Sequence, residues 1–379
     1  MPSRTIPYVN LVEPHRRLRA ELLAAVDGVL SSAQFILGDK VREFEERFAE
    51  RCGVRHAIGL SSGTDALILA LRALGIGQGD EVITAPNSFV ATASAIVLSG
   101  ARPVFVDVGD DYNIDPAGIP KAITDRTRAI MPVHLTGLPA DMEAIRELAE
   151  RHALAVVEDA AQSVLAEYRG RPTGALGTVG CFSLHPLKTL NACGDAGMAT
   201  TDDPELAERI RLLRNLGLKT RDECVAWSAN HRLDTLQAAM LLVKLEHVDA
   251  WTEARRRHAA RYREGLAEVP GLRLPVEPEG RRGVYHTFVV QARDREGLRR
   301  HLAERGIGTA VHYPIPIHLQ PVGRGLGYGP GNFPVAEAQA EGILSLPVYP
   351  ELSDDDVDYV SAAVREFYAS RRGADAVRA

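Results

Sequence analysis

Lysine is scarce in this chain, which has 44 basic residues and only five lysines. Arginine keeps its charge in a protein, whereas a lysine that is removed from water can lose its proton and attack a carbonyl carbon. Chemistry that depends on a neutral amine therefore has few candidates. They are Lys40, Lys121, Lys188, Lys219 and Lys244.

Cysteine is rarer still, and the four cysteines show neither the paired spacing of a redox or zinc motif nor the density of a disulfide-rich secreted protein. This usage predicts a cytoplasmic protein with reduced thiols. The first ten residues lack the apolar core of a secretion signal, and no apolar run is long enough to span a membrane. We therefore expect no membrane partner, and we expect no metal because no ligand set has zinc spacing.

A strong charge of one sign is also missing, because the formal net charge is only −6. This balance gives no electrostatic reason to expect a nucleic-acid partner. The one basic run spans residues 255–263 within a helical pattern. We interpret it as the solvated face of a helix.

What the chain does contain is a regular alternation of short β-like runs and helical patterns through its first two-thirds. The predicted strands are His56–Leu60, Glu81–Ala85, Pro103–Val108, Ala129–Val133, Ala155–Val157, Gly180–Leu184 and Met198–Thr201. The predicted helices between them are Asp65–Leu74, Phe89–Ser99, Asp141–His152 and Pro204–Leu213. Such alternation predicts an α/β fold with a mostly parallel sheet covered by helices on both faces, and sites in such folds gather at the carboxyl ends of the strands.

The last third of the chain has a different pattern. From Asp234 to Leu266 the helical pattern continues without proline, and glycine enters only at Gly265, so we predict one long helix that bridges two domains. The segment "YHTFVVQA" and the helical pattern Arg295–Arg305 predict a smaller α+β domain beyond it. We expect a large domain over residues 1–250 and a small C-terminal domain over residues 251–379.

Position along the chain separates Lys188 from the other lysines. It follows the predicted strand Gly180–Leu184 and a turn that contains proline, which places it near the carboxyl end of a strand. The other four lysines stand on charged helical stretches or in a polar loop, where surface positions are expected. A surface loop explains the position of Lys188 equally well, so other segments must decide between the two interpretations.

Three further segments bear on that choice. "GLSSGTDALILAL" runs from a strand into a helix, and its backbone N–H groups suit a phosphate, although a plain helix cap is the alternative. "AVVEDAAQS" ends a predicted strand with Glu158 and Asp159, and a carboxylate there can keep a ring nitrogen protonated. Phe89 opens a helix after another strand and offers a flat face for stacking, with core packing as the alternative.

These features have a common meaning when they are taken together. A phosphate cradle, a strand-end acid, an aromatic face and a lysine are what pyridoxal phosphate requires. The two glycine-rich segments, residues 75–80 and 323–331, lack the strand-then-helix context of a dinucleotide-binding motif. The conjunction therefore predicts a pyridoxal phosphate enzyme.

The sequence resembles the sugar aminotransferases of the DegT/DnrJ/EryC1/StrS group, a branch of the fold-type I pyridoxal phosphate enzymes. The resemblance covers nearly the whole chain and includes "SSGTDAL", "DEVITAPNSFVATASAI", "VVEDAAQS", "FSLHPLKTL", "GDAGMATT", "NHRLDTLQAA" and "VHYPIPIHLQP". It implies the fold-type I architecture, with a mostly parallel mixed sheet, helices on both faces and a smaller C-terminal α+β domain.

The resemblance also implies roles for residues around the cofactor ring. Lys188 would attach pyridoxal 5'-phosphate covalently and act in catalysis. Asp159 would hold the pyridine nitrogen, and Gln162 would hold the phenolic oxygen of the ring. Phe89 would stack on the ring.

A second group of residues would bind the cofactor's phosphate. Gly63, Thr64 and Ser183 would do so within one subunit. Asn230, in "NHRLD", matches an asparagine that reaches the phosphate of the neighbouring subunit, which implies a homodimer with shared active sites. The resemblance therefore predicts that one chain alone does not complete the site.

On the substrate side, His312, Tyr313 and His318 match a loop near the sugar, with a rigid loop of packed rings as the alternative. The expected reaction moves an amino group, from L-glutamate by resemblance, to a keto group of a nucleotide-linked sugar in amino-sugar biosynthesis. Two alternatives stay open. One is a keto-cyclitol acceptor in aminoglycoside biosynthesis, and the other is a cofactor-binding regulator without activity, against which Lys188 and Asp159 both count.

Overall fold

The computed structural model describes residues 4–376 of the chain. The helices are α1 Val12–Arg17, α2 Arg19–Ser32, α3 Asp39–Cys52, α4 Gly63–Ala73, α5 Val90–Leu98, α6 Ile119–Ala122, α7 Met142–Arg151, α8 Pro204–Arg214, α9 Thr235–Leu245, α10 Val248–Leu266, α11 Arg295–Glu304, α12 Pro334–Gly342 and α13 Asp354–Ala376. The strands are β1 His56–Leu60, β2 Glu81–Thr84, β3 Arg102–Phe105, β4 Thr127–Ile130, β5 Ala155–Asp159, β6 Glu167–Tyr168, β7 Arg171–Pro172, β8 Val179–Ser183, β9 Gly197–Thr201, β10 Leu272–Arg273, β11 Arg281–Arg282, β12 Phe288–Ala292 and β13 Ile343–Leu346.

The main sheet contains seven strands in the order β1-β9-β8-β5-β4-β2-β3, and these are the seven strands that the sequence predicts, with ends shifted by a few residues. Neighbouring strands from β8 to β3 run parallel, whereas β9 is antiparallel to both β1 and β8. The predicted mostly parallel mixed sheet is confirmed. Because helices cover both faces, strands such as β2 and β9 are buried along their whole length.

Two hydrophobic cores lie on opposite faces of this sheet. Successive residues of a strand point to opposite faces, and Cys181 and Phe182 of β8 therefore enter different cores. Cys181 packs on the side of α4 and α8, where it is 1% exposed, as expected for a small core residue. Phe182 packs on the side of α3 and α9, where its ring centroid lies 5.1 Å from that of Phe48.

A second, antiparallel sheet in the order β10-β12-β13 packs with α10, α11 and α13 around a further core. This core draws Ile6 from the N-terminal segment, whose N–H donates to the Gly306 carbonyl. Conversely, Ile317 and Phe333 from the last third of the chain pack into the core beside β2 and β4. The predicted boundary between residues 250 and 251 stays a prediction, and contacts cross it in both directions.

The single long helix predicted from Asp234 to Leu266 is wrong, because α9 ends at Leu245 and α10 begins at Val248. Ion pairs to α3 hold both sides of the break, since Arg47 pairs with Glu246 and Arg51 pairs with Asp249. Neither glycine nor proline stands at the break. The interruption therefore coincides with contacts between residues far apart in the sequence, which a periodic pattern does not reveal.

The basic run at residues 255–263 is not the fully solvated face that was predicted. Arg255 is only 6% exposed, and His258 and Tyr262 are fully buried on the same side of α10. Arg257 lies on the exposed side of the helix. Among residues 4–376, none of the helices combines the length and the apolar character needed to cross a membrane.

Candidate active site

Most of the predicted site residues meet in one cavity of about 400 Å³ at the carboxyl-terminal edge of the main sheet. Segments that follow β1, β2, β5 and β8 supply its walls, as expected for a site in a parallel α/β sheet. Nine predicted residues line it. They are Gly63, Thr64, Phe89, Asp159, Gln162, Ser183, Lys188, His312 and Tyr313.

Lys188 stands in the turn after β8, where its backbone N–H donates to the His185 carbonyl at 2.8 Å. Lys188 is partly buried, and its ammonium group makes no hydrogen bond or ion pair to residues 4–376. Burial lowers the pKa of Lys188 to about 8, against the opposing attraction of Asp159. A fraction of this amine is therefore neutral near physiological pH, which is the form that attacks a carbonyl carbon.

Lys244, expected at the surface, is also buried and is only 2% exposed. Its ammonium group donates to the Asn191 carbonyl and side-chain oxygens at 2.9 and 2.7 Å, and it lies 3.0 Å from His15 Nε2. Lys244 does not line the cavity. Elimination by sequence pattern thus missed a second buried lysine, although its hydrogen bonds distinguish it from Lys188.

Asp159 ends β5 and is 4% exposed. Its carboxylate accepts a hydrogen bond from the Thr92 hydroxyl at 2.7 Å and one from the Ala161 N–H at 3.2 Å. Burial raises the pKa of Asp159, while these two hydrogen bonds and the charge of Lys188 oppose the rise. The carboxyl group is fixed in position and lies in the same cavity as the amine.

The neighbouring acid, Glu158, has a different task because it points to the other face of β5. It is fully buried and accepts hydrogen bonds from the N–H groups of Gly174, Leu176 and Gly177 at 2.8, 2.8 and 2.7 Å. His134 Nε2 lies 3.0 Å from the same carboxylate. Glu158 therefore fixes a loop, and Asp159 alone of the pair lines the cavity.

The start of α4 forms an anion cradle beside Ser183. Ser62 caps the helix by accepting from the Asp65 N–H at 3.1 Å, and the first N–H groups of a helix, here those of Gly63 and Thr64, have no intrahelical partner. A Cβ added to Gly63 would lie 2.6 Å from Ser183 Cβ, so only glycine allows this close approach. Unpaired N–H groups at the positive end of a helix dipole bind phosphate well.

An aromatic wall stands on another side of the cavity. Phe89 is 53% exposed, and its ring centroid lies 5.6 Å from that of Tyr313 at an interplanar angle of 40°. The Tyr313 hydroxyl is 3.4 Å from Gln162 Nε2, and Gln162 Oε1 accepts from the Thr136 N–H at 2.8 Å. The ring of Phe89 is therefore exposed and free to stack on a planar ligand. The alternative, in which this ring packs into the core, does not agree with its exposure.

The three residues that were expected near the sugar, His312, Tyr313 and His318, do not all line the cavity. His312 lines the cavity with Nδ1 2.9 Å from Ser345 Oγ, and burial together with the charge of Lys188 lowers its pKa to about 4. His318 lies outside the cavity, fully buried, with Nε2 3.0 Å from Glu337. Its expected contact with a sugar is not supported, because the short helical turn at Ile317–Leu319 directs it into the protein interior.

Asn230 is also outside the cavity of its own chain and is exposed. Its side-chain oxygen accepts a hydrogen bond from the Arg232 N–H at 3.2 Å. The segment is anchored near the anion cradle, because the Ser61 N–H donates to the His231 carbonyl and His231 Nδ1 lies 3.0 Å from Asp65. The predicted role of Asn230 in a neighbouring subunit stays a prediction.

Sequence reasoning missed several polar residues that line the same cavity. Among them are Tyr8, Thr92, Arg255, His286 and Thr287. Thr92 could have been found, because it stands one helical turn after Phe89 and so shares its face of the helix. Tyr8 carries no local signal, since only the fold brings the N-terminal segment to this edge of the sheet.

The residues of the cavity fit pyridoxal phosphate. The cofactor's aldehyde requires an amine without other partners, its ring nitrogen a fixed carboxylate and its phosphate a set of N–H donors. Lys188, Asp159 and the start of α4 provide these three groups around one space. Among residues 4–376, no group of three or more histidine, cysteine or acidic side chains is placed to hold a metal ion.

Comparison with known proteins agrees with this fit. The model of the DegT/DnrJ/EryC1/StrS aminotransferase family matches residues 16–365. The chain is 47% identical over 363 residues to the dTDP-3-amino-3,4,6-trideoxy-alpha-D-glucose transaminase of Streptomyces venezuelae, covering 96% of each protein. It is 46% identical over 366 residues to the pleiotropic regulatory protein of Geobacillus stearothermophilus, covering 96% of this chain and 98% of that protein.

Solved structures show the same similarity. The crystal structure of S. venezuelae DesV in complex with a ketimine intermediate superposes with a TM-score of 0.95 at 46% identity, covering 97% of this chain and 99% of that one. Together, fold, cavity and relatives define an aminotransferase that depends on pyridoxal phosphate. Within that class, the chain belongs to the DegT/DnrJ/EryC1/StrS aminotransferase family. The predicted fold type, enzyme class and cofactor are confirmed.

Proposed function

We propose that this enzyme transfers an amino group from L-glutamate to a keto carbon of a nucleotide-linked sugar in amino-sugar biosynthesis. The observation that carries the proposal is the free amine of Lys188, which shares a cavity with the carboxylate of Asp159 and the helix start at Gly63. The relatives support the choice of substrate, since several carry names of nucleotide-sugar aminotransferases, with dTDP-linked and UDP-linked sugars among them.

In this proposal the chain's own residues hold the cofactor. Lys188 would attach it, Asp159 would bind its ring nitrogen, Gln162 would bind its phenolic oxygen, and Phe89 would stack on the ring. The phosphate group is bound at the start of α4 and by Ser183. When bound, pyridoxal phosphate supplies an electron sink that stabilises negative charge on the substrate carbon.

Lys188 is also the residue that moves the proton. In the cofactor-free chain, burial lowers the pKa of its Nζ to about 8, which keeps part of the amine neutral and able to act as a base. The Nζ accepts the proton from the donor's α carbon and returns it one step later as a general acid. The same proton transfers run in reverse when the amino group passes to the keto sugar. Asp159 supports both directions by holding the ring nitrogen in its charged form.

A test converts the holoenzyme with L-glutamate, removes the keto acid and then adds candidate acceptors. We expect the visible band of the cofactor to disappear with glutamate and to return with a keto-sugar nucleotide. Return with keto-cyclitols alone would favour the aminoglycoside alternative. A silent regulator, which the name of the Geobacillus relative brings to mind, would show no change with glutamate in any preparation that holds the cofactor.

The proposal includes a homodimer in which Asn230 acts on the partner's site. Asn230 is exposed and does not line its own cavity, and apolar side chains near it in sequence are exposed as well, with Val225 at 50% and Trp227 at 91%. Exposed apolar side chains of this size are typical of surfaces that another protein covers. A second copy of the chain would cover these side chains and complete the phosphate site.

Complementation tests the shared site. Lys188→Ala and Asn230→Ala chains, co-expressed with different tags, should form mixed dimers with one doubly altered and one wild-type site. We expect such dimers to recover up to about half of the wild-type activity, because one of two sites is intact. Activity no higher than that of the parent homodimers, with mixed dimers present, would show that Asn230 does not act in trans.

A further inference from the structure

Arg255 is a buried cation that has no acidic partner. Two arginines in the described part of the chain are less than a tenth exposed, Arg214 at 8% and Arg255 at 6%. Arg214 forms an ion pair with Glu45. Among the residues that the structure describes, no carboxylate lies within ion-pair distance of Arg255, although Glu351 attracts it from further away. Because an uncompensated buried charge is destabilising, Arg255 needs an anionic partner, and the described residues of its own chain do not supply one.

The hydrogen bonds of Arg255 leave most of its guanidinium group unused. Nη1 donates to the Val348 carbonyl at 2.6 Å and to the Tyr285 and His286 carbonyls at 3.4 Å each. Nε is buried without a partner, and Nη2 makes no hydrogen bond to residues 4–376. A guanidinium group has five N–H donors. The carbonyl contacts fix its position, and the remaining donors stay available.

The surroundings of Arg255 are part of the active-site cavity. Arg255, His286 and Thr287 all line it, and each keeps one polar atom without a partner, namely Nε, Nδ1 and Oγ1. Burial together with the charges of Lys188 and Arg255 lowers the pKa of His286 well below its usual range, so His286 is neutral. Arg255 is therefore the charged group on this wall. Burial lowers the pKa of its guanidinium group to about 10, so the group stays protonated.

The size of the cavity limits which anion reaches this wall. About 400 Å³ must hold the cofactor and the reacting part of the substrate. A nucleotide diphosphate does not fit in the same space and must stay towards the opening, whereas an amino acid is small enough to enter. A guanidinium group binds a carboxylate through two parallel hydrogen bonds, and such charge-assisted bonds are about twice as strong as neutral ones.

We propose that Arg255 binds a carboxylate group of the amino-acid donor, and thereby acts as a specificity residue for the donor half of the reaction. The inference rests on the proposed transamination and adds the part of the site that selects the donor. A keto sugar that is not a uronic acid carries no carboxylate on its ring, so the second half-reaction with such a sugar does not use this contact.

The test compares Arg255→Gln with wild type in three measurements. Calorimetry on the holoenzyme gives the affinity for glutarate, a dicarboxylate that has no amine and does not react. Stopped-flow absorbance gives the rate and concentration dependence of the glutamate half-reaction. Protein loaded with pyridoxamine phosphate gives the rate with a keto-sugar nucleotide. We expect affinity for glutarate and glutamate to fall about tenfold or more, and the keto-sugar step to change by less than about threefold.

Two further variants keep the result interpretable. Arg256→Gln changes the next residue of α10, which pairs with Glu277 and does not line the cavity, and it should leave both half-reactions unaltered. Arg255→Lys keeps the charge but not the paired donors, so it should recover part of the glutarate affinity. It also replaces Arg255→Gln as the informative variant if the latter does not fold.

Equal losses in both half-reactions, or unchanged glutarate affinity, would overturn the proposal and leave Arg255 a purely structural role. Selective loss of the keto-sugar step would assign the residue to the acceptor instead. Glutarate binding does not depend on turnover. A wild-type protein that binds glutarate through Arg255 but fails to react with glutamate would therefore refute the proposed function and not this contact.

Discussion

Lys188 is partly buried and Lys244 is buried, and the two lysines have opposite chemical surroundings. Lys188 lies in the cavity with an ammonium group that makes no hydrogen bond or ion pair to residues 4–376. Lys244 is 2% exposed, and its ammonium group donates to both oxygens of Asn191 and lies 3.0 Å from His15. Burial lowers the pKa of both lysines.

The difference shows that burial alone does not make a lysine nucleophilic. When fixed acceptors hold the protons of an ammonium group, the nitrogen does not present its lone pair to a carbonyl carbon. Lys188 combines a lowered pKa with open space beside it, and the nearby carboxylate of Asp159 keeps the lowering moderate. Lys244 instead links α9 to the loop that follows Lys188, so its role is to hold that loop.

The largest expected effect is a loss of activity when the side chain of Lys188 is replaced by an inert one, and the same kind of replacement at Lys244 is the comparison. Lys188→Ala should lower kcat by about a thousandfold or more, because both the covalent attachment and the proton transfer are lost. Lys244→Met should keep nearly full activity per folded molecule. Single-turnover rates with glutamate and borohydride labelling check this. Near-normal turnover of Lys188→Ala, or label on another lysine, would refute the assignment.

The next effect concerns the two acids at the end of β5. Asp159→Asn is nearly isosteric but lacks the charge that, in the proposed role, would hold the ring nitrogen protonated, so turnover should fall by about 100-fold or more while the fold persists. Glu158→Gln should do the reverse, because it weakens the bonds to three loop N–H groups and leaves the cavity acid in place. Rate measurements paired with thermal unfolding distinguish the two. Equal rate losses in both variants would contradict the assignment.

Whether the sequence alone predicts a feature of the two lysines depends on how far apart in the chain the residues that determine this feature lie. The seven main strands and the segments "SSGTDAL", "VVEDAAQS" and "FSLHPLKTL" are local patterns, and they place Lys188 and Asp159 at one edge of a sheet. The burial of Lys244 depends on Asn191 and His15, which are 53 and 229 positions away. No periodic pattern on one helix contains that information.

Other failures of prediction have the same cause. The break between α9 and α10 is held by pairs that span 199 and 198 positions, so the uninterrupted helical pattern gave no sign of it. Arg255 is an intermediate case. It shares a helical face with His258 and Tyr262, whose spacing of three and seven residues indicates an inward side. The charges of the run concealed that face.

Replacing Lys244 should lower the stability of the protein, whereas replacing Lys188 should lower its activity. Lys244→Met removes the donor for the two Asn191 oxygens and leaves partly buried acceptors unpaired, so the free energy of unfolding should fall by about 1–3 kcal/mol. Urea titration of the cofactor-free protein measures this. Lys40→Met changes an exposed lysine of α3 and is the matched control, with an expected change below about 0.5 kcal/mol. An unchanged midpoint for Lys244→Met would show that its hydrogen bonds contribute nothing net.

The smallest expected effect is a pH-dependent gain in the free energy of unfolding when Lys188 is replaced by methionine. In the cofactor-free protein its pKa is about 8, against 10.5 for an unperturbed lysine. Between these values the folded chain binds fewer protons than the unfolded chain, so stability rises with pH. Below pH 8 the folded state bears the full penalty of a buried charge. Lys188→Met should therefore stabilise the protein at pH 7 by about 1–2 kcal/mol, less than the shift alone implies, because Asp159 loses its counter-charge.

The advantage of Lys188→Met should shrink as the pH rises from 8 towards 10, because the wild-type lysine then becomes neutral and its penalty disappears. Urea midpoints at half-unit steps of pH, with Lys40→Met in parallel, measure the difference. The Lys40→Met control should show no such trend, since its side chain stays in water. A gain that grows with pH, or a loss of stability at pH 7, would mean that Lys188 is stabilised by contacts in the folded state. It would then resemble Lys244, and the contrast between the two lysines would fail.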